Sequence, residues 1–568
     1  MTIVDEILRS RGLATKAARE AFLSPDYDAM RHDPFLLPDM QNAVERLVLA
    51  KERGEKVVIY GDYDIDGLTA STVLVDSFEK FGIEASVFIP NRFVEGYGLN
   101  GPALETLAEH GAQLIVTVDC GSLSHAEVEL ANTLGMEVIV TDHHAVGETL
   151  PPAVAVINPK RLLKDFPERY DGFVLRDQAA GSELRLYPFV DLAGVGVAFK
   201  LVQALQTRLE GLPAGQEKWL LDLVAFGTVC DVVQLVDENR ANVYWGLQVM
   251  QKTRRVGLKM LMAVTKIDPQ TVTARTLGFV FGPRLNASGR LETAQVALDL
   301  LTVTDRKQAL ALAETLDAMN AERRAEQDRI FVAASAQAQT FDADRVLVVS
   351  DPSWSHGIIG IVAAKLLETY RKPTFVLQEL PDGTAKGSAR SFGDFSAVEG
   401  IRATDQHLIK GGGHKLAAGV TLKTEHIVVW RQALNTYYRS LQLDDQERHL
   451  LPRADVVLNS FHELTEELLA DFARLEPYGN GNPEPVLCVQ PVTIEGRRVM
   501  GNAGQHVSYV FRDDQGNTLC CNAWNASERF TAEIGETVAI WLELTLNDWR
   551  GRRSVEGKLL RIEPTDEG

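Results

Sequence analysis

Between Lys56 and Pro159 short apolar runs alternate with spacers of helix length: Val57 to Tyr60, Ala85 to Ile89, Leu114 to Val118, Glu137 to Thr141 and Val154 to Ile157. Strands returned through such spacers imply βαβ units and a parallel sheet, because a parallel return needs a long crossover. Each run ends in polar residues: Asp62 to Asp66, Pro90-Asn91-Arg92, Asp119-Cys120-Gly121, Asp142-His143-His144 and Asn158-Pro159. In an open α/β sheet the ligand crevice lies beyond the carboxyl ends of the strands. These five tips are therefore expected to converge on one rim, and three of them carry carboxylates.

From Asp191 to Val233 the apolar positions take a helical period, and the segment delivers Asp231. Residues 304–339 are rich in Ala, Leu, Glu, Arg and Gln and hold no Pro or Gly, which predicts one helix of about 50 Å linking two domains. Beyond it, Arg345 to Val349 and Thr374 to Leu377 are expected as strands around a helix from Gly357 to Tyr370, with a glycine-rich turn at Gly411-Gly412-Gly413-His414. From Val486 onward, strand-like runs separated by turns predict about five short strands and a small barrel of the OB type. The fold expected is α/β: an N-terminal segment 1–40, a parallel-sheet domain 41–303, a connector helix 304–339, a second α/β domain 340–450 and an OB-type β-barrel 451–568.

Composition narrows the function. A chain of 568 residues has the length of three or four domains, and 45% hydrophobic with 24% charged residues is ordinary for a globular protein. No stretch of about 18 uninterrupted apolar residues is available to cross a bilayer. Met1 to Arg11 carries Asp5 and Glu6 and no apolar run, so a secretory signal is not expected and a cytoplasmic location is. Five scattered cysteines, none in a Cys-x-x-Cys pair, point to reduced thiols. Lys plus Arg at 58 against Asp plus Glu at 78 gives a net charge of -20, so any polyanion site must be local.

Gly61-Asp62-Tyr63-Asp64-Ile65-Asp66-Gly67 closes one apolar run and opens a helix expected over Leu68 to Phe81. Carboxylates two apart on such a turn can both face a crevice, although Asp at a helix start also serves as a cap. Asp119, His143 and Asp231 are weak signals singly. Combined, four separate elements place Asp64, Asp66, Asp119, His143 and Asp231 around one point, where carboxylates so close repel unless cations bind. Oxygen-rich ligation with imidazole and no thiolate suits Mn²⁺ or Mg²⁺ better than Zn²⁺. Two such ions about 3.5 to 4 Å apart serve phosphoryl displacement, so phosphoester hydrolysis is the chemistry expected. The chain has no Gly-x-x-x-x-Gly-Lys-Ser/Thr loop, no His-Glu-x-x-His helix and no Gly-x-Ser-x-Gly elbow. Gly194-Val195-Gly196 begins a dinucleotide fingerprint that fails at Phe199, which leaves helix packing as its use.

These residues resemble a known family. Asp64-Ile65-Asp66, Asp119-Cys120-Gly121, Asp142-His143-His144 and Asp231 are similar to the four motifs of the DHH phosphoesterases, and Gly411 to Gly419 resembles the glycine-rich signature of the DHH-associated domain. Asp33-Pro34 to Met40, Gly282 to Arg290, Ser355 to Gly360, Gly387 to Arg390 and Trp549-Arg550-Gly551 extend the resemblance over nearly the whole chain, to the single-strand-specific exonucleases of that superfamily. The resemblance implies a 5′ to 3′ exonuclease that hydrolyses single-stranded DNA to 5′-mononucleotides by two-metal-ion catalysis, acting in recombination and repair. It implies that Asp64, Asp66, Asp119, His143 and Asp231 ligate two Mn²⁺ or Mg²⁺ ions and that His144 lies near the scissile phosphate. It also implies that Arg92, Tyr97, Arg284, Ser388 and Arg390 grip the DNA end. Tyr60 stands where some relatives carry a histidine as a further ligand. The expected substrate is single-stranded DNA with a 5′ end. A single-strand-binding protein and a helicase are the partners such an enzyme works beside, with no membrane association and a monomer as the default.

The residue types agree with these roles. The planar fork of Arg donates two parallel hydrogen bonds to a terminal phosphate. Consecutive NH groups at Gly411 to Gly413 can form an anion nest that sets His414 beside DNA phosphate, although a tight turn explains them as well. In the barrel Tyr509, Phe511, Trp524, Trp541 and Trp549 are candidate stacking platforms, with Arg550, Arg552 and Arg553 on one loop. Residues 451–568 hold 11 basic against 19 acidic residues, so contact with DNA is expected on one face only and several of those aromatics are expected in the core. Two rivals stay open: a phosphodiesterase of short oligonucleotides or cyclic dinucleotides, which needs no barrel, and a non-catalytic DNA-binding scaffold, which has no reason to keep buried charge repulsion.

Overall fold

The computed structural model describes residues 2–91, 98–172, 174–175, 185–291, 293–443, 446–549 and 551–565. Strands β1 (Val57–Gly61), β2 (Ala85–Phe88), β3 (Leu114–Val118), β4 (Glu137–Thr141) and β5 (Ala155–Ile157) form a parallel sheet in the order β2-β1-β3-β4-β5, each within one residue of its expected bounds. β1 and β3 are buried along their whole length, as a parallel sheet covered on both faces requires. The register pairs Gly61 with Val118, Val118 with Thr141 and Thr141 with Ile157. Four strands thus end level, and the residues that come after them, Asp62, Asp119, Asp142 and Asn158, share one edge. From β1 the chain turns to β2 on one side, then returns to β3 on the other, which makes β1/β3 the switch point where such sheets take ligands.

Helix Ile65–Phe81 comes after β1 and begins before the expected Leu68 because Asp64 caps it, its Oδ1 accepting from the backbone N–H of Asp66 and Gly67. Helices Gly194–Leu205 and Leu221–Cys230 pack against it. Residues 1–282, 298–310 and 452–568 form one unit, and 283–297 with 311–451 a second.

The second unit holds a mixed sheet of β6 (Leu347–Asp351), β7 (Thr374–Glu379), β8 (Thr384–Arg390), β9 (Leu408–Gly413) and β10 (Ala417–Lys423) in the order β9-β10-β8-β7-β6. Only β6 and β7 pair in parallel. The long helix runs over Arg306–Thr340, 35 residues or about 52 Å at 1.5 Å per residue. One expectation is corrected here. Gly411 to Gly413 form neither a turn nor an anion nest but the end of β9, opposite Val420, Gly419 and Ala418 of β10. At Gly413, φ is 139° and a Cβ would stand 2.5 Å from Ala418 Cα, so only glycine lets the strands meet.

At the C-terminal end, β12 (Leu487–Met500), β13 (His506–Asp513), β14 (Thr518–Ala523), β15 (Thr537–Trp549) and β16 (Arg552–Pro564) close into a five-stranded barrel through the β12–β15 pair, with β11 (Val456–Leu458) added outside in parallel to β12. Three of the barrel strands run to 13 or 14 residues, longer than the short strands expected. Tyr509 and Phe511 are corrected as stacking platforms: both are wholly buried, in a core that also takes Ile3, Val4, Ile7 and Leu8 from helix Ile3–Ser10. Trp524 is 60% exposed, Trp541 lies beneath the Arg561 guanidinium, and the Trp549 side chain and Arg550 fall outside the described residues.

Candidate metal centre

The level strand ends deliver Asp62, Asp64, Asp119 and His143 to one place, and helix Leu221–Cys230 delivers Asp231 to it as its C-cap. Three sets of ligand atoms lie within 4.8 Å of one another: Asp62, Asp64 and Asp119; Asp66, His143 and Asp231; Asp119, His143 and His144. The sets share Asp119 and His143. His143 Nε2 stands 3.1 Å from Asp119 Oδ1, 3.6 Å from Asp231 Oδ2 and 3.8 Å from Asp66 Oδ2. Neither that nitrogen nor Asp231 Oδ2 has a hydrogen-bond partner among the described residues, although both are buried. Buried, unsatisfied oxygen and imidazole donors facing one another fit a hard divalent cation.

Asp66 is held differently. Its two oxygens accept from Gly194 N (2.6 Å) and Val195 N (2.8 Å) at the start of helix Gly194–Leu205, where unsatisfied N–H groups favour an anion. A Cβ at Gly194 would stand 2.8 Å from Asp119 Cβ and 2.9 Å from Asp66 Oδ2. The Gly-Val-Gly stretch thus lets a helix end reach two carboxylates.

Asp142 is a support. Its Oδ1 accepts from His143 N, His144 N and His144 Nδ1 (2.8 Å), and its Oδ2 accepts from Ser122 N. Asn158 completes the frame by donating to Ser122 Oγ and His144 O. Sequence reasoning missed Asp62 as a ligand candidate and Asp142 as an orienting group. The Tyr60 hydroxyl donates to Gly98 O at 3.1 Å and accepts from Asn100 Nδ2 at 2.9 Å.

Burial pushes the Asp66 carboxyl up to about 7, with Asp64 adding to the rise, and the Asp231 carboxyl up to about 9, with Asp66 adding. Asp119 is raised well above the carboxylate range for the same reasons. Burial and the neighbouring His144 lower His143 to about 3, which keeps it a neutral imidazole, the ligating form. Burial acts to raise Asp142, but the hydrogen bond and charge of His144 hold it well below its ordinary value. Burial acts to lower His144, yet Asp142 raises it on balance.

A carboxyl whose folded pKa is raised stabilises the fold fully below its unfolded value and loses that contribution as pH rises through the folded value. Between pH 7 and 8.5 His143 is largely neutral in both states, so Asp231 at about 9 and the upper part of the Asp66 titration at about 7 set the slope. The melting temperature of protein stripped with chelator is expected to fall across this window. The upward shift on adding Mn²⁺ is expected to grow, because cations replace protons. Scanning fluorimetry checks it; a Mn²⁺ shift that shrinks with pH would count against metal at these residues.

In the second unit Ser388 and Arg390 share one face of β8, Arg390 Nη1 lying 3.2 Å from Ser388 Oγ, and burial lowers the Arg390 guanidinium. Arg284 Nε donates to Asp317 Oδ1 at 2.8 Å. His414 is exposed in the turn between β9 and β10, its N–H donating to Ala417 O. Arg92 and Tyr97 lie outside the described residues.

Comparison with known proteins sets this architecture in a class. The DHH family N-terminal domain matches residues 56–228, the DHHA1 domain residues 343–440 and the RecJ OB domain residues 455–560. The molecule is thus a DHH-family protein with its DHHA1 companion and an OB barrel. The single-stranded-DNA-specific exonuclease RecJ of Bacillus subtilis is 35% identical over 554 residues, 97% of this chain and 66% of its own length. The protein of the same name from Haemophilus influenzae is 32% identical over 562 residues, 94% of this chain and 92% of its own. The crystal structure of RecJ in complex with Mn²⁺ from Thermus thermophilus matches with a TM-score of 0.79 at 28% identity, covering 100% of this chain and 78% of that one. The chain belongs to the RecJ family.

Proposed function

We propose that this protein is a metal-dependent 5′ to 3′ exonuclease that hydrolyses single-stranded DNA to 5′-mononucleotides, acting as a monomer in the cytoplasm in DNA recombination and repair. The observation that carries this reading is the buried packing of Asp66, Asp119 and Asp231 within 4 Å of the His143 imidazole, a charge density that calls for cations. Asp62, Asp64, Asp66, Asp119, His143 and Asp231 would hold two Mn²⁺ or Mg²⁺ ions. Bound there, such ions activate water and brace the leaving oxygen of a phosphodiester. Asp142 takes the Nδ1 hydrogen of His144, which leaves Nε2 of that half-exposed ring to share a proton with the scissile phosphate. In this reading a helicase supplies the strand and a single-strand-binding protein works beside the enzyme.

The test uses Mn²⁺, a single strand labelled on its 5′-phosphorylated nucleotide, the corresponding duplex, and a dinucleotide. The label is expected to leave first, as a mononucleotide, from the single strand and not from the duplex. Preference for the dinucleotide, or late release of the label, contradicts the proposal.

Ser388, Arg390, Arg284 and His414, with Arg92 and Tyr97, hold the 5′ end in this reading. Arg390→Ala is expected to lower kcat/KM on a 5′-phosphorylated strand by about 10- to 100-fold, the cost of about 1.5 to 3 kcal/mol for a charged hydrogen-bonding pair. Arg390→Lys recovers little, since a point charge cannot fork. An equal loss on a 5′-hydroxyl strand would remove Arg390 from the phosphate.

A further inference from the structure

Asp231 ends its helix with Oδ2 unpaired among the described residues, and the helix holds the next residue only by its amide, Val232 N donating to Val229 O at 3.3 Å. The next residue, Val232, has φ 61°, a left-handed conformation that β-branched residues avoid. Its side chain is 64% exposed, so packing does not impose that conformation. The group that holds it comes from 248 residues further along the chain: Asn480 Nδ2 donates to Val232 O at 2.7 Å. Asn480 O in turn accepts from Leu235 N at 2.7 Å. These two bonds clasp both ends of the turn 232–235, whose middle is held by Gln234 N donating to Asp191 Oδ2 and Asn239 Nδ2 donating to Gln234 O.

Asn480 is exposed, but a buried anchor stands two residues beyond it. Asn482 is wholly buried and donates to Leu475 O and Pro477 O. Its Oδ1 accepts from Arg11, which forks onto Asp455. A side chain carried on such a frame can impose a backbone conformation elsewhere rather than adapt to it.

We propose that Asn480 is a positioning residue for Asp231: by pinning the carbonyl of Val232 it sets the direction of the carboxylate beside it, so the segment leading into the OB barrel is part of the metal centre. The inference rests on the metal-dependent nuclease reading of that centre.

Asn480→Ala is expected to weaken Mn²⁺ binding to the chelator-stripped protein by about 10-fold, as loss of a group supporting a ligand does. Isothermal calorimetry measures this without turnover. kcat should fall by a similar factor, with KM for single-stranded DNA and the melting temperature of the metal-free protein unchanged. Adding Val232→Gly, which adopts φ 61° without strain, should restore Mn²⁺ affinity toward wild type. Wild-type affinity in Asn480→Ala, or no recovery in the double variant, overturns the positioning role. Mn²⁺ binding by the wild type without DNA cleavage sinks the nuclease reading and leaves the positioning of Asp231 standing. No Mn²⁺ binding by the wild type overturns both.

Discussion

Asp119→Asn is expected to lower the Mn²⁺-dependent release of mononucleotides from single-stranded DNA by about 10⁴-fold, the scale on which central catalytic groups act, while the fold survives. Asp119 lies in two of the three ligand sets and, of the three acids around His143 Nε2, is the one nearest to it. Asn is the right probe for two reasons. The residue has φ 61°, which Asn tolerates better than most side chains. Its Cβ abuts the Gly194 backbone, so a replacement of the same shape avoids a cavity. Because burial and the neighbouring Asp66, Asp64, Asp62 and Asp231 all raise this carboxyl, removing its charge relieves repulsion. The metal-free variant should therefore melt no lower than the wild type, and Mn²⁺ should raise its melting temperature less. A variant that keeps a tenth of wild-type activity would place the chemistry elsewhere.

The gathering of acids around His143 was legible in the sequence where a general rule of the fold applied. A parallel sheet buries its strands and ends them at one edge, so polar residues after apolar runs mark the rim, and Asp64, Asp66, Asp119, His143 and Asp231 could be named. Asp62 escaped because alternation along an extended chain would turn it with Asp64 but gives it no partner of its own; the bends at Tyr63 and Asp64 bring it into a set with Asp119. Gly411 to Gly413 look like a turn to any local rule, but strand pairing decides otherwise. Arg284 makes the ion pair that an isolated arginine is expected to make, here with Asp317. The barrel's aromatics divided by burial, which alternation along β13 foretells for Tyr509 and Phe511. Bonds such as Asn480 to Val232 join positions with no shared local pattern, and only the folded chain shows them.

Arg240 is equally invisible to local rules, since a lone arginine in helix Asp237–Met250 reads as a surface residue. Yet it is 1% exposed. Its Nε donates to Phe22 O, Nη1 to Pro477 O, and Nη2 to Leu475 O and Glu476 O, while the guanidinium lies 3.6 Å from the centre of the Phe22 ring. Burial lowers its pKa to about 10, so it stays charged at neutral pH, solvated by carbonyl dipoles. Arg240→Ala leaves those carbonyls without donors and is expected to cost about 3 to 5 kcal/mol, seen as a melting temperature lower by at least about 5 °C. Arg240→Lys should recover little, because three donors on one nitrogen cannot span carbonyls that the planar fork reaches. The effect should also be local in kind. The carbonyls belong to residues 475–477, which brace the frame that carries Asn480, so limited proteolysis should cut the alanine variant between residues 475 and 482 and Mn²⁺ affinity should fall with it. A variant that melts within about 1 °C of the wild type, a shift too small for such a loss, and resists protease there would mean that the frame stands without this arginine.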